Sequence, residues 1–137
     1  MYYNPHLNIR PVNKEYASIK DVDDLYEKLL NCWCKDTCAP RMRDNWSINN
    51  KTCGQCSITA FLAQDIFGGN VYGVLTENNN THCFNVVDNQ MFDLTSEQFS
   101  YSLDYSKGTI QDRNIHFSKQ EKYERYLYLK NKLNELL

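Results

Sequence analysis

Cys56, His82 and Asp93 are the residues of this 137-residue chain whose types and spacing could do chemistry together. A thiolate is the nucleophilic form of cysteine, an imidazole can take the thiol proton, and a carboxylate can fix the imidazole's tautomer and orientation. Cys56 stands just before Ser57-Ile58-Thr59-Ala60-Phe61, the start of an apolar run. A thiol in the first turn of a helix faces unpaired N–H groups and the positive end of the dipole, and both favour the thiolate. Thr52 and Gln55 could instead form a capping box that starts the helix earlier and puts Cys56 a turn inside. Gly54 opposes that start, because glycine is poor within a helix. Taken singly, a cysteine here would be read as a small core residue.

His82 and Asp93 add a geometric argument. If Asp88-Asn89 is a two-residue hairpin loop, Val87 faces Gln90; counting back, Phe84 faces Asp93 and His82 faces Thr95. Opposed residues share a face of the sheet, and so do residues two apart on one strand. His82 and Asp93 then point to the same side as diagonal neighbours, ~7–8 Å apart at the backbone and within side-chain reach. An odd loop length would put them on opposite sides. The Cys56 thiol meets His82 provided that the helix it begins packs on that same face. Each residue alone reads as ordinary structure, but a helix-start Cys followed by a strand His and a same-face Asp is a combination chance supplies less readily.

The elements that must position these side chains can be read from periodicity. From Asp21, the residues Val22, Leu25, Tyr26, Leu29, Leu30 and Trp33 recur at three- and four-residue steps, predicting a helix to about Cys34. Ser57 to Phe67 predicts a second helix, apolar on nearly every side and therefore central, stopped by Gly68-Gly69. Val71–Thr76, His82–Val87 and Gln90–Leu94 read as strands, the first two joined by a polar turn at Glu77–Asn80. Thr95-Ser96-Glu97-Gln98 and Ser118-Lys119-Gln120-Glu121 have the capping-box form, predicting a short helix and a terminal helix. Residues 1–20, with Pro5 and Pro11, are expected to lie across the surface or to be partly loose. The order predicts one α+β domain over residues 1–137, with the buried helix packed on a small antiparallel sheet.

Composition narrows the function classes. A 42% hydrophobic and 13% aromatic share belongs to a globular chain, and this length can bury a core without cross-links. A net charge of −2 argues against nucleic acid or an anionic membrane as an obligatory partner, because both want a basic surplus. No apolar run approaches a membrane span and the first residues are not a secretory leader, so the chain is expected in the cytoplasm. There, the even set Cys32, Cys34, Cys38, Cys53, Cys56 and Cys83 is not expected to form disulfides, and the glycosylation triplets at Asn45, Asn50 and Asn79 carry no weight. Oligomeric state is not set by the sequence.

Several blocks carry a likeness to a known family: Trp46-Ser47, Gly54 to Ala60, Gln64 to Gly69, His82-Cys83-Phe84-Asn85 and Asp93 to Phe99. Together, over roughly residues 30–100, they resemble the YunG-like family of small bacterial proteins. That family looks like a reduced papain- or transglutaminase-type core, a papain-like fold. The resemblance implies Cys56 as nucleophile, His82 as base, Asp93 as its orienting partner, and no cofactor. Phe84 stands where a tryptophan is expected, and Cys53 and Cys83 lie outside the pattern. For the oxyanion, the Cys56 backbone N–H or a side-chain amide of Gln55 or Asn50 is a candidate, and Trp46 sits in the 35–52 loop that should border the cleft. The substrate so implied is a peptide, an amide or another small acyl compound, and its acyl-thioester is resolved by water or by an amine.

Three other readings compete. Cys34 and Cys38 with Cys53 and Cys56 approach the spacing of a structural zinc site, although the sizeable core needs no metal. Cys53-Gly54-Gln55-Cys56 has the form of a thiol–disulfide exchange motif, but the stretch before it is polar and lacks the preceding strand. A non-catalytic binding module could keep the same core, with Tyr101, Tyr105, Tyr123, Tyr126 and Tyr128 as partner surface or as ordinary packing. His6 and His116 receive no role, and Trp33 is read as a core anchor.

Overall fold

A computed structural model describes residues 1–137. Asp21 caps the first helix, accepting from the Asp24 N–H at 2.8 Å. Helix α1 (Val22–Leu29) turns Val22, Leu25, Tyr26 and Leu29 inward. It ends sooner than the periodicity predicts. Trp33 follows in a tighter turn, where its indole N–H donates to the buried Thr59 hydroxyl at 2.9 Å and pins the turn to the central helix.

That central helix, α2 (Cys56–Phe67), is buried along nearly its whole length, as its apolar sequence requires. Gly68 ends it at a φ of 79°, a left-handed conformation that costs glycine little. Four antiparallel strands follow: β1 (Asn70–Leu75), β2 (Thr81–Val87), β3 (Gln90–Phe92) and β4 (Thr109–Ile110), in the order β3-β2-β1-β4. Helices α3 (Arg113–Phe117) and α4 (Gln120–Asn134) close the chain. The expected α+β order, with a buried helix on a small antiparallel sheet, is what the chain adopts. The two-residue strand β4 has no periodic signal and was not expected.

The hairpin between β2 and β3 sets the site. Asp88 and Asn89 have φ values of 51° and 64°, the paired positive φ of a type I′ turn, and Val87 pairs with Gln90. The loop is even, and the parity holds. The ladder stops at Asn85–Phe92, two residues short of the expected strand end, because Asp93 leaves it to bridge Tyr3.

Alternation along β2 divides two faces. Cys83, with Val71, packs against Ala60 and Phe61 of α2, and the Asn85 side-chain amide donates to the Ala60 carbonyl at 2.8 Å. His82 and Phe84 point the other way, toward Phe99 and Tyr105. So α2 covers the opposite face from His82 and Asp93, which corrects the expected packing. The main core lies beyond α2, where Leu62 and Ile66 meet Leu25, Leu29, Leu129 and Leu133. Residues 1–20 do not lie loosely outside it: Tyr2, Ile9, Tyr16 and Ile19 are buried members of that core. Their wide spacing left no periodic stripe to read.

Candidate functional site

Two features force α2 to begin at Cys56. Gly54 has a φ of 70°, and a Cβ there would lie 2.5 Å from Cys38 Sγ and 2.9 Å from the Ala39 nitrogen, so the chain turns left-handed before the helix. Gln55 is then the N-cap residue, and no side chain caps the helix. The Thr52–Gln55 capping box is not formed. Cys56 is therefore the first helical residue, its thiol in the uncapped turn where the dipole favours negative charge.

The Cys56 sulfur sits 4.0 Å from the Thr81 carbonyl, at the first residue of β2. This position explains how a thiol on one side of the sheet meets groups from both. At the strand's end, His82 and Cys83 reach it from opposite faces. Interaction with the Cys83 thiol is the largest influence, burial opposes it, and the nearby His82 and its charge add to it; together these hold the Cys56 thiol well below the ordinary cysteine value. Cys83 is pushed the other way, above its ordinary value, by that same contact and by burial.

His82 is almost fully buried, and its Nε2 hydrogen-bonds Asp93 Oδ2 at 2.7 Å. Its Nδ1 is buried and has no hydrogen-bonded partner, and Cys56 is close enough to act on the ring. Burial disfavours the imidazolium, but hydrogen bonds and charge from Asp93 and Cys56 outweigh it and raise its pKa to about 10. Asp93 also accepts from the Tyr105 hydroxyl at 2.7 Å and from the Thr95 N–H at 3.2 Å. The Phe99 ring stands edge-on to the imidazole, centroids 4.7 Å apart.

The first three candidates are thus brought together, while the weaker set is not. The Gln55 amide is wholly buried and donates to the Cys34 carbonyl at 3.1 Å. Trp46 donates its indole N–H to the Lys51 carbonyl, and Asn50 its amide to the Asn45 carbonyl. None of these three lines the cavity of about 1020 Å³ that opens at Cys56 and His82. Of the 35–52 loop, only the part from Ala39 to Asn45 forms a wall. No three of the His, Cys, Asp and Glu side chains form a metal-ligand group, so Cys34, Cys38, Cys53 and Cys56 are not assembled. Cys53 associates with Cys38 while Cys56 turns to β2, so the C-x-x-C pair does not meet.

Sequence reasoning missed Tyr105, Phe99, Thr95 and Cys83 at the site, and the wall formed by α3 and α4. The capping-box form at Thr95 was a usable signal misread: its hydroxyl lies 3.4 Å from Asp93 Oδ1 and does not cap the short 3₁₀ turn Ser96–Gln98. Ser118 likewise donates to the Ile115 carbonyl and leaves α4 without a side-chain cap. His116, given no role, belongs to the cleft wall, whereas His6 pairs with Asp23 at the surface.

Fold and site define a small α+β protein with a helix-first thiol beside a buried His–Asp pair. The chain belongs to the YunG protein family, whose family model matches residues 21–137. The likeness to the YunG-like family read from residues 30–100 is borne out and extended. A curated relative, "Uncharacterized protein YunG" of Bacillus subtilis (strain 168), is 35% identical over 60 residues, 44% of this chain and 51% of that protein. The match therefore spans about half the length of that relative. No solved structure matches, and no helix is long and apolar enough to cross a membrane.

Proposed function

We propose that the chain is a cysteine hydrolase or acyltransferase that acts on an amide or peptide bond through a Cys56–His82–Asp93 triad. The observation carrying this reading is the division of the His82 ring: Nε2 is held by Asp93 at 2.7 Å, and buried Nδ1 has no partner but the thiol region. The Cys56 thiolate attacks the acyl carbon, forming a C–S bond while the carbonyl electrons move to oxygen. Collapse of that oxyanion breaks the C–N bond, and the leaving amine takes its proton from His82 Nδ1. Water, deprotonated by the now neutral His82, attacks the thioester and breaks the C–S bond, giving the acid and returning the Cys56 thiolate; an amine in its place gives a new amide. The Cys56 backbone N–H, in the uncapped first turn of α2, is the proposed oxyanion donor, because the Gln55 amide is spent on Cys34.

On this reading the core is of the papain or transglutaminase type, supported by the order of helix-start cysteine, strand histidine and hairpin aspartate. No cofactor takes part, and a reducing cytoplasm is the proposed setting, consistent with six free cysteines. Mass spectrometry after brief iodoacetamide treatment across pH tests the reading. Cys56 should be modified ahead of the other thiols in mildly acidic solution, and His82→Ala should abolish that preference. Equal labelling of all six cysteines overturns the proposal.

A further inference from the structure

We infer that the cleft takes an anionic substrate: an acyl compound carrying a carboxylate close to the bond under attack, held by the α3–α4 wall. This rests on the acyl-transfer reading of Cys56 and adds the substrate class to it.

The chain carries a net −2, yet the cavity at Cys56 is lined by Arg41, Lys119, Lys122 and Arg125 against a single carboxylate, Glu121. That carboxylate is already engaged by the Arg125 guanidinium, which also donates to the Thr37 carbonyl at 3.0 Å. Arg41, Lys119 and Lys122 are in no ion pair. Three unpaired cations therefore face one cavity, in a protein whose surface elsewhere has acid to spare.

Lys122 is the most telling of them. It is half-buried, and its ammonium donates to His116 Nδ1 at 2.9 Å. His116 Nε2 in turn meets Gln111 Oε1 at 2.9 Å, which fixes the proton on Nε2 and leaves Nδ1 as the acceptor. Burial first, and then the Lys122 charge, hold His116 below its ordinary value, so the ring is neutral at pH 7. A partly desolvated ammonium whose hydrogen-bond partner is a neutral ring has no carboxylate in contact to offset the cost of burial. Its charge also reaches both Cys56 and Cys83, so an anion bound there lies beside the reacting sulfur.

Helix α4 makes the same point independently. Lys119 and Lys122 occupy its N-cap and first turn, where the dipole disfavours cations, and no side chain caps it. The one acidic residue of that turn, Glu121, is taken up by Arg125, and a local rule broken at a cavity wall is the pattern of a functional site. A bound carboxylate would satisfy the ammonium groups and the helix end together.

Two alkylating reagents of nearly equal size, neutral iodoacetamide and anionic iodoacetate, test the inference, each cysteine being read by mass spectrometry. The iodoacetate-to-iodoacetamide rate ratio at Cys56 should exceed that at partly exposed Cys34 by about fivefold. It should fall back in Lys122→Gln and Lys119→Gln and with added salt. Equal ratios at the two cysteines overturn the inference, as does a ratio that the variants leave unchanged. The ratio cancels intrinsic thiol reactivity, so the two proposals fail separately. A Cys56 no faster than Cys34 toward iodoacetamide sinks the acyl-transfer reading; a fast Cys56 without anion preference sinks the substrate class alone. Glutarate provides a readout free of sulfur chemistry: it should shift the His116 ring resonances of the wild type and not those of Lys122→Gln. An unmoved wild-type ring counts as failure.

Discussion

Tyr105 and His82 donate to the same carboxylate oxygen of Asp93, each at 2.7 Å. The phenol comes from the loop before β4 and the imidazole from β2, so one oxygen ties two distant segments. A shared acceptor makes their placements interdependent: if the phenol lets go, the carboxylate can rotate and the imidazole loses its fixed tautomer. Tyr105→Phe removes only the hydroxyl. Loss of a hydrogen bond to a charged acceptor should cost about 1.5–3 kcal/mol in denaturant unfolding. The decisive measurement is the pH profile of Cys56 alkylation, which should move to higher pH with a several-fold slower rate near neutrality. A destabilised variant with an unshifted profile would reduce Tyr105 to packing.

The hairpin parity was legible because it rests on one count, the two residues Asp88-Asn89 between strands of period two, and their positive φ values realise it. The burial of α2 was legible for a similar reason: apolar residues on all sides of one helix have nowhere else to go. Tyr105 was not, because a loop residue that reaches a carboxylate twelve positions earlier leaves no period in the sequence. Nor was the face on which α2 packs. Both faces of β2 carry buried side chains, so alternation in the sequence does not say which one receives the helix. The cleft wall at α3 and α4 is legible only once the fold has brought residues 113–125 beside residue 56.

Stability against pH provides a second prediction, with a sign that can be worked out. Burial opposes the His82 charge but Asp93 and Cys56 outweigh it, raising its pKa from 6.5 to about 10. That contribution is full below about 6.5 and is lost as pH climbs through about 10. The Cys56 thiol is depressed from 9.0, so its contribution is full above 9.0 and is lost as pH falls through the folded value. Between about 6.5 and 9.0 the two slopes cancel, since folded and unfolded chains bind equal numbers of protons at this pair. In Cys56→Ser the thiol slope is gone and the histidine keeps the part of its slope that Asp93 sustains. The variant's Tm should therefore fall, relative to wild type, as pH rises across that interval. Parallel curves would show that Asp93 alone does not hold His82 charged.

Gly54→Ala tests whether the start of α2 is set by backbone conformation. At a φ of 70°, with Cys38 Sγ 2.5 Å from the added methyl position, the substitution meets both strain and collision. Strain of this kind costs about 1–3 kcal/mol before any displacement of Cys38, measurable as a lower denaturant midpoint. Relief of the strain moves the chain two residues before the thiol, so Cys56 alkylation should slow as well. An unchanged midpoint would mean that Gly54 does not fix where the helix begins.

Cys83 provides the sharpest test of what holds the Cys56 proton affinity down. Its thiol is the largest single influence on Cys56, ahead of His82, although it lies on the opposite face of β2 and outside the catalytic reading. A thiol that donates to a thiolate spreads the negative charge and raises its own proton affinity, as the opposite shift of Cys83 requires. Cys83→Ala deletes the donor and leaves a small apolar space beside Ala60 and Phe61. The Cys56 alkylation profile should move to higher pH, and the rate in mildly acidic solution should drop. Cys83→Ser restores an O–H donor of similar reach and should bring the profile part of the way back. Rescue by serine separates hydrogen bonding from packing, because alanine and serine leave nearly the same space. If Cys83→Ala leaves the profile where it was, the thiolate is held by His82 and the first turn of α2 alone.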